Sequence, residues 1–392
     1  MNEQRLQQLQ IVLKEMVDSS FVSGVNCMVI EHGEEQCYFE AGVANIETKA
    51  PIRRNSIFRL YSMSKPVTAA AVMLLIEEGK IDLLDNVSLY LPGFKNSDVE
   101  TSTGIVNANR EVNIHDLLSM TSGLVYGGDQ SKAEKDTTAV FDDIIKNLYT
   151  DHAHTTVKIA NRLGQCTLAY HPGEKWQYGT SADILGAIIE VVSGMKFGEF
   201  LKKRIFAPLK MVDTDFYVPE SKKNRFTTVY MDSEEGLIPY LENNLGIMND
   251  MSIEPAFESG GAGLVSTIDD YAKFAQMLMN KGTYDGIQYM APKTVKFFTS
   301  AHLNSQQQQY MAGWPGLVGF TYGNLMRVLV DEGLTIFNGT VGEYGWDGWL
   351  GAYFVNDPKN DLIFLMMMQK KDTGTTSFTR KLRNVLASAI EL

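Results

Sequence analysis

The stretch "RLYSMSKPVTAAAVMLL", residues 59–75, carries the strongest fold signal in this 392-residue chain. It places Ser62 and Lys65 three residues apart at the front of an alanine-rich apolar run. Positions three apart share a helix face, so the two side chains can meet if a helix begins near Ser62. A serine hydroxyl is a poor nucleophile until a base takes its proton, and a lysine whose pKa is lowered by burial can be that base. The pattern therefore predicts a helix with an activated serine at its N-terminus.

The same residues also have a purely structural interpretation. Ser62 or Ser64 can be a helix N-cap and Lys65 a solvated side chain, because Ser-x-x-Lys occurs by chance in many chains of this length. Pro66 fits both interpretations, since proline is tolerated in the first turn of a helix. The two interpretations differ in what they require of the remaining sequence.

The composition is that of an acidic globular protein. Apolar residues make up 44%, charged residues 21%, and the formal net charge is -12. These values exclude a disordered chain and argue against a nucleic-acid partner, which needs clustered Lys and Arg. No run approaches about 18 apolar residues, so no membrane partner is expected. Three cysteines without a CxxC pair, together with an N-terminus that lacks an apolar signal core, favour a cytoplasmic protein without a bound metal.

The order of periodic segments predicts an α+β fold. An amphipathic N-terminal helix precedes two strand-like runs, "VNCMVIEHG" (25–33) and "EQCYFEAGVAN" (35–45). Residues 82–250 are mainly helices and loops, strand patterns return after about 318, and the last 17 residues form an amphipathic helix. The economical arrangement is an antiparallel sheet flanked by the N- and C-terminal helices, an all-helical lobe, and an active site in the cleft between them.

The lobes are expected to be discontinuous in sequence. Residues 1–80 and 290–392 form the lobe that contains the sheet. Residues 81–289, including a helix over 266–282, form the mainly helical lobe. Together they make a single domain over 10–390.

Longer segments resemble a known family. "FRLYSMSKPVTAAAVMLLIEEGKIDLLDNVSLYLPGF", residues 58–94, resembles the nucleophile helix of the serine β-lactamase and penicillin-binding-protein superfamily. It is closest to the class C β-lactamases and the family VIII carboxylesterases. "VNIHDLLSMTSGL" (112–124) and "SGGAGLVSTIDDYAKFAQMLMNKG" (259–282) are similar to later family segments, in the same order. The resemblance implies a β-lactamase/transpeptidase-like fold and catalysis through Ser62 and Lys65.

"PGEKWQYGTSADILG", residues 172–186, resembles the second motif of the esterase branch. The resemblance implies that Tyr178 is the family's general base or acid. A tyrosine can relay a proton if cations stabilise its phenolate or if it shares a proton with Lys65. The structural alternative is a half-buried tyrosine beside Trp176. Thr180 takes the place of an asparagine that contacts the substrate amide in lactamases, so we expect it at the substrate, and the replacement argues against β-lactam recognition.

"EYGWDGWLGAYF", residues 343–354, takes the place of the family's Lys-Thr-Gly strand. Its triplet Trp346-Asp347-Gly348 is nearer to the Trp-Gly-Gly of the esterases. An aspartate there would repel the carboxylate of a penicillin or a D-Ala-D-Ala end. Gly348 would let the backbone approach the substrate. The resemblance implies an oxyanion hole made by the Ser62 and Trp349 amides. Alternatively, both tryptophans are core aromatics, although their odd spacing argues against a shared strand face.

These patterns predict a serine hydrolase that forms an acyl-enzyme and acts as an esterase or amidase on a small-molecule substrate. Tyr126, Trp346 and Trp349 would line a pocket for a small apolar acyl group, and Asp347 suggests a substrate that bears an ammonium group. No cofactor is indicated. The alternatives are a β-lactamase or D-Ala-D-Ala peptidase and, from another class, a catalytically idle ligand-binding scaffold. Oligomeric state and ester-against-amide preference stay open.

Overall fold

A computed structural model describes residues 1–391, and its framework is one eight-stranded antiparallel sheet. The strands are β1 Gly24–Glu31, β2 Glu34–Asn45, β3 Ala50–Pro51, β4 Phe58–Arg59, β5 Asp98–Thr101, β6 Gly104–Asn107, β7 Tyr230–Ser233, β8 Gly236–Pro239, β9 Val265–Ser266, β10 Thr283–Tyr284, β11 Ile287–Gln288, β12 Phe320–Gly323, β13 Met326–Leu329, β14 Tyr344–Asp347, β15 Tyr353–Asp357 and β16 Leu362–Met368. The strand order in the large sheet is β12-β13-β14-β15-β16-β1-β2-β3. The other strands form four two-stranded pairs. The antiparallel sheet expected from the sequence is thereby confirmed.

The helices occupy the two ends of the chain and most of its middle. They are α1 Glu3–Asp18, α2 Ser64–Glu77, α3 Ile114–Leu118, α4 Lys132–Asn147, α5 Thr156–Gly164, α6 Ser181–Ser193, α7 Phe197–Leu201, α8 Ile268–Met279, α9 Pro292–Thr299, α10 Ser305–Met311 and α11 Ser377–Ala389. No helix in residues 1–391 is both long enough and apolar enough to cross a membrane.

The terminal helices cover one face of the sheet, as expected. Leu9 of α1 and Leu382 of α11 lie in one apolar cluster with Val29 and Phe364 from adjacent strands. Successive residues of a strand point to opposite faces, so Leu365, which follows Phe364, lies in a second apolar cluster on the other face of the sheet. Strand β16 is buried on both faces, which explains why its sequence, "LIFLMMM", is apolar without alternation.

Helix α2 lies in the core on the other side of the sheet. Residues 64–75 are all buried, so this helix is apolar around its whole circumference. It packs against α6 and α9. Its Thr68 hydroxyl donates to the Gly260 carbonyl over 2.7 Å. The active-site end of the helix is thus held from several sides.

Helix α8 contacts the sheet directly. It lies within 81–289, yet it packs on the sheet: the Tyr271 and Phe354 rings are 5.1 Å apart between centroids, and the Asn356 amide donates to the Ala275 carbonyl over 2.8 Å. Residues 268–279 therefore belong structurally with the sheet. An amphipathic period shows that a helix has a buried face, but it does not show which layer covers that face.

The packing of α1 predicts a stability difference between two neighbouring residues. Leu9→Ala removes a fully buried side chain, so we expect a loss of about 2–5 kcal/mol in the free energy of unfolding. Gln8→Ala, on the exposed side of the same helix, is the matched control and should change it by less than about 0.5 kcal/mol. Urea unfolding followed by circular dichroism measures both. Equal effects would contradict the packing of α1 on the sheet.

Candidate active site

Ser62 lies in a tight turn immediately before α2. The turn is a 3-10 segment over Tyr61–Met63, and Tyr61 has a φ of 45°. A positive φ is costly for a bulky residue and persists only where the surroundings enforce it. The N-cap position of α2 is Met63, which makes no side-chain cap, while the Ser64 hydroxyl accepts from the Leu264 amide over 3.1 Å. Ser62 is therefore not a capping residue of α2, and it lines the cavity described below.

Lys65 is fully buried beneath Ser62. Its Nζ donates to Ser62 Oγ over 3.1 Å, to Tyr126 Oη over 3.1 Å and to the Gly261 carbonyl over 2.7 Å. Burial lowers the pKa of Lys65 to about 7, although the negative charges of Asp183 and Asp347 act in the opposite direction. The solvated lysine of the structural interpretation is excluded by this burial.

The three contacts of Lys65 match the three hydrogens of an ammonium, and a neutral amine can make them as well. A neutral Nζ has two hydrogens and one lone pair. The Gly261 carbonyl can only accept a hydrogen bond, and Tyr126 Oη can accept another. The lone pair is then available to the Ser62 hydroxyl. This arrangement can remove a proton from Ser62 without a further base.

Tyr178 lies on the other side of Lys65, with its ring centroid 4.7 Å from Nζ. Trp346 Nε1 donates to Tyr178 Oη over 3.0 Å. Burial raises the pKa of Tyr178 far above its ordinary value, and hydrogen bonds with Ser62 and Trp346 only partly oppose that rise. Tyr178 is therefore protonated near neutral pH, which suits a proton donor or relay better than a free base.

Gly348 brings the end of β14 against the Ser62 turn. A Cβ on Gly348 would lie 2.3 Å from the Leu60 carbonyl oxygen, so only glycine permits this approach. In the structure Gly348 packs against the backbone that precedes Ser62, and its contact with a substrate stays a prediction. Ser62 and Trp349 both line the cavity, and the Trp349 amide has no backbone hydrogen-bond acceptor within residues 1–391. Their amides are the donors of the predicted oxyanion hole.

A cavity of about 740 Å³ opens above Ser62. Tyr126, Tyr178, Trp346, Asp347 and Trp349 line it, as the sequence led us to expect. Its other lining residues are Tyr61, Asn244, Leu245, Trp314, Gly316, Leu317, Ile336, Asp372, Thr373, Gly374, Thr375 and Arg380. Tyr61 lies in the first motif beside Ser62, whereas the others lie in loops and at the start of α11, outside any recognised motif, so the sequence did not single them out.

Aromatic rings form much of the wall around the nucleophile. Tyr178 is the centre of the group, with ring centroids 5.7 Å from Tyr126, 5.3 Å from Trp314 and 5.5 Å from Trp346. Trp349 packs on Tyr61 at 4.9 Å, and its Nε1 donates to the Asp372 carboxylate over 2.6 Å. Such a wall suits an apolar acyl group and keeps the Lys65 amine away from bulk water.

Comparison with known proteins agrees with this fold. Residues 9–389 match the Beta-lactamase family. The chain belongs to the Beta-lactamase family. An uncharacterized protein of Mycobacterium tuberculosis is 30% identical over 92% of this chain and 89% of its own. Esterase EstB of Burkholderia gladioli is 30% identical over 63% of each chain. The structure of EstCE1, a hydrolase with promiscuous acyltransferase activity, superposes with a TM-score of 0.84 at 25% identity, covering 98% of this chain and 99% of its own.

The comparisons confirm the expected superfamily and its family VIII esterase-like branch. Membership in this hydrolase family supports enzyme activity. An esterase, a putative D-alanyl-D-alanine carboxypeptidase and a hydrolase with promiscuous acyltransferase activity are among the proteins that the chain is similar to.

Thr180 does not reach the cavity, in contrast to the expectation that it binds substrate. It is fully buried at the N-cap position of α6, and it makes no side-chain cap. The preceding Gly179 packs so closely that a Cβ would lie 2.2 Å from the Leu124 carbonyl oxygen. The chain therefore turns inward after Tyr178.

Asp347 is paired rather than free. Its carboxylate forms an ion pair with Arg327, a buried residue of β13. The arginine offsets the negative charge that the sequence suggested for recognising a substrate ammonium. The geometry therefore does not favour that hypothesis. No group of three or more His, Cys, Asp or Glu side chains in the described part of the chain is arranged to hold a metal.

The buried lysine predicts the pH dependence of serine labelling by a fluorophosphonate. Lys65 must be neutral to take the Ser62 proton, so the labelling rate should rise as pH increases through about 7 and should be lost below it. A solvated lysine would place the rise near about 10.4. Labelling rates measured by mass spectrometry from pH 5 to 10 give the pH at which the rate reaches half of its maximum.

Lys65→Met is the neutral control, which fills the site but has no amine, and it should label at least about a hundredfold more slowly. A rate independent of pH, or an unchanged rate in Lys65→Met, would contradict the role of Lys65.

Proposed function

We propose that this protein is a serine hydrolase that forms an acyl-enzyme on Ser62 and acts as an esterase on small, largely apolar acyl groups. The observation that carries the proposal is the fully buried Lys65, bonded to Ser62 at the floor of an aromatic cavity. An amine with a pKa of about 7 is largely unprotonated just above neutral pH, so it can act as a base, and it is readily protonated during the reaction.

Acylation begins when Ser62 Oγ bonds to the ester carbonyl carbon and its proton passes to Lys65 Nζ. The carbonyl π electrons move to oxygen, where the amides of Ser62 and Trp349 stabilise the charge. Collapse of this intermediate breaks the bond to the leaving alcohol. Tyr178 gives its proton to the leaving oxygen and regains one from the Lys65 ammonium, so the net transfer is from serine to alcohol.

Deacylation repeats the sequence with water. A water molecule attacks the acyl carbonyl, and its proton passes to Lys65. The second tetrahedral intermediate expels Ser62 Oγ, which takes that proton back as the carboxylic acid leaves. An alcohol in place of water would give acyl transfer by the same steps.

The cavity wall favours an apolar acyl group. Trp314, Leu317, Ile336 and Trp346 contribute large apolar surfaces close to the nucleophile. Each CH₂ buried on such a surface contributes about 0.8 kcal/mol. Esters of short aliphatic or aromatic acids fit this wall better than a charged acyl group does.

β-Lactamase or D-Ala-D-Ala peptidase activity is the less favoured candidate. The family's Lys-Thr-Gly is replaced by Trp346-Asp347-Gly348, and the position of its asparagine is taken by the buried Thr180. Both changes remove groups that would hold a lactam or peptide end. The idle-scaffold alternative is opposed by the contacts that prepare Ser62 for attack.

Ester hydrolysis with Ser62→Ala tests the proposal. We expect p-nitrophenyl butyrate turnover in the wild type, a loss of at least about 10³-fold in Ser62→Ala, and little nitrocefin turnover in either. Ser102→Ala, at an exposed turn, is the matched control and should retain full activity. Rapid nitrocefin hydrolysis would favour the lactamase alternative. Absence of turnover and of a trapped acyl-enzyme would favour the scaffold.

The aromatic wall predicts acyl-chain selectivity. Trp314 is half-exposed at the cavity and contacts Tyr178, so Trp314→Ala should remove apolar contact from a longer acyl chain. Butyrate carries two more CH₂ groups than acetate, and the butyrate-to-acetate ratio of kcat/KM should fall by up to about tenfold. Tyr149→Ala, an exposed aromatic residue outside the cavity lining, is the control. An unchanged ratio in Trp314→Ala would show that the acyl chain binds elsewhere.

A further inference from the structure

A glycine-rich turn over residues 259–263, Ser-Gly-Gly-Ala-Gly, fills the space between α2 and α6. A Cβ on Gly260 would lie 2.3 Å from the Ala182 carbonyl oxygen, and one on Gly261 would lie 2.8 Å from Asp183 Oδ2. The turn is thus pressed against the first turn of α6. On its other side, the Gly261 carbonyl accepts from Lys65 Nζ over 2.7 Å.

Asp183 holds this turn in place. Its Oδ1 accepts from Ser259 Oγ over 2.5 Å and from the Gly261 amide over 3.0 Å. Ser259 Oγ also accepts from the Ala262 amide over 3.0 Å, so its single hydrogen is directed to Asp183. Two donors on one oxygen stabilise the ionised carboxylate against the burial that raises its pKa. Gly261 therefore links the two side chains: its N–H donates to Asp183 and its C=O accepts from Lys65.

Asp183 differs electrostatically from the other carboxylate near Lys65. Asp347 is paired with Arg327, whereas the hydrogen-bond donors to the Asp183 carboxylate are neutral. The remaining titratable groups around the amine are Tyr126, Tyr178 and, farther out, Tyr322, and burial keeps all three protonated. The negative charge of Asp183 is thus the main opposition to the burial of Lys65.

We propose that Asp183 is a positioning residue of this site: it fixes the Gly261 carbonyl that orients Lys65, and its negative charge sets the pH range in which Lys65 acts as a base. The proposal rests on the proposed function, because it assigns Lys65 the role of base for Ser62. Asp183 is not among the described residues that line the cavity. It acts through the backbone of a turn and through its charge.

The experiment compares pH profiles of kcat/KM for p-nitrophenyl butyrate in wild type, Asp183→Asn and Ser259→Ala. Asp183→Asn removes the charge, so Lys65 should lose its proton more easily and the acidic limb should move to lower pH. Because the Gly261 carbonyl is also held less firmly, kcat should fall about tenfold to a hundredfold with KM nearly unchanged. Ser259→Ala keeps the charge and removes one donor, so it should lower kcat and leave the acidic limb nearly in place.

Asp270→Asn is the matched control. Asp270 is a buried, hydrogen-bonded carboxylate of α8 that does not line the cavity. This variant should lower thermal stability without moving the pH profile. If the acidic limb of kcat/KM against pH lay at the same pH in Asp183→Asn as in wild type, the proposed charge effect would be overturned. An equal pH shift of that limb in Asp270→Asn would also overturn it.

Should Asp183→Asn fail to fold, Ser259→Ala still tests the proposal, since full kcat in that variant would overturn the positioning role. Failure of the proposed function gives a different result. In that case wild type itself forms no acyl-enzyme, and Ser62→Ala matches it.

Discussion

The structure depends on the burial of one amine. Removing the Lys65 ammonium from water is costly, and the protein meets that cost by lowering its pKa to about 7 and surrounding it with oxygen atoms. The contacts to Ser62, Tyr126 and Gly261 come from three separate regions of the chain. All three regions must be in place for the amine to have its full set of hydrogen-bond partners.

Glycines make the close backbone packing around Ser62 and Lys65 possible. Gly348 brings the edge of β14 against the Leu60 carbonyl, and Gly260 brings the 259–263 turn against α6. At both places a Cβ would overlap a backbone oxygen. Close backbone packing fixes the positions of the Ser62 turn and the Lys65 acceptor to within the tolerance that proton transfer demands. The glycines of the family motifs thus act in this protein through packing of its own chain.

The replacement of Lys-Thr-Gly changes the character of the cavity. In its place, Trp346 donates to the Tyr178 hydroxyl, and Asp347 is paired with Arg327 from the neighbouring strand. The strand therefore supplies an aromatic wall and a compensated charge instead of an exposed cation. This chemistry is consistent with neutral, apolar acyl groups and with the esterase-like relatives of the chain.

The residue pattern by itself determined much of this protein. The apolar run after Ser62, the alternating strands at both ends and the order of the three motifs predicted an antiparallel sheet with terminal helices, and they selected Ser62, Lys65 and Tyr178. These signals are local, because they depend on the period of a helix or strand and on residue types at short spacing.

Only the tertiary structure decided which distant residues meet. It placed α8 on the sheet and Thr180 outside the cavity. It also paired Asp347 with Arg327 and brought Asp183 to the 259–263 turn that contacts Lys65. No spacing in the sequence encodes these contacts. They follow from how separate segments exclude water together, and that exclusion also sets the pKa values on which the proposed chemistry depends.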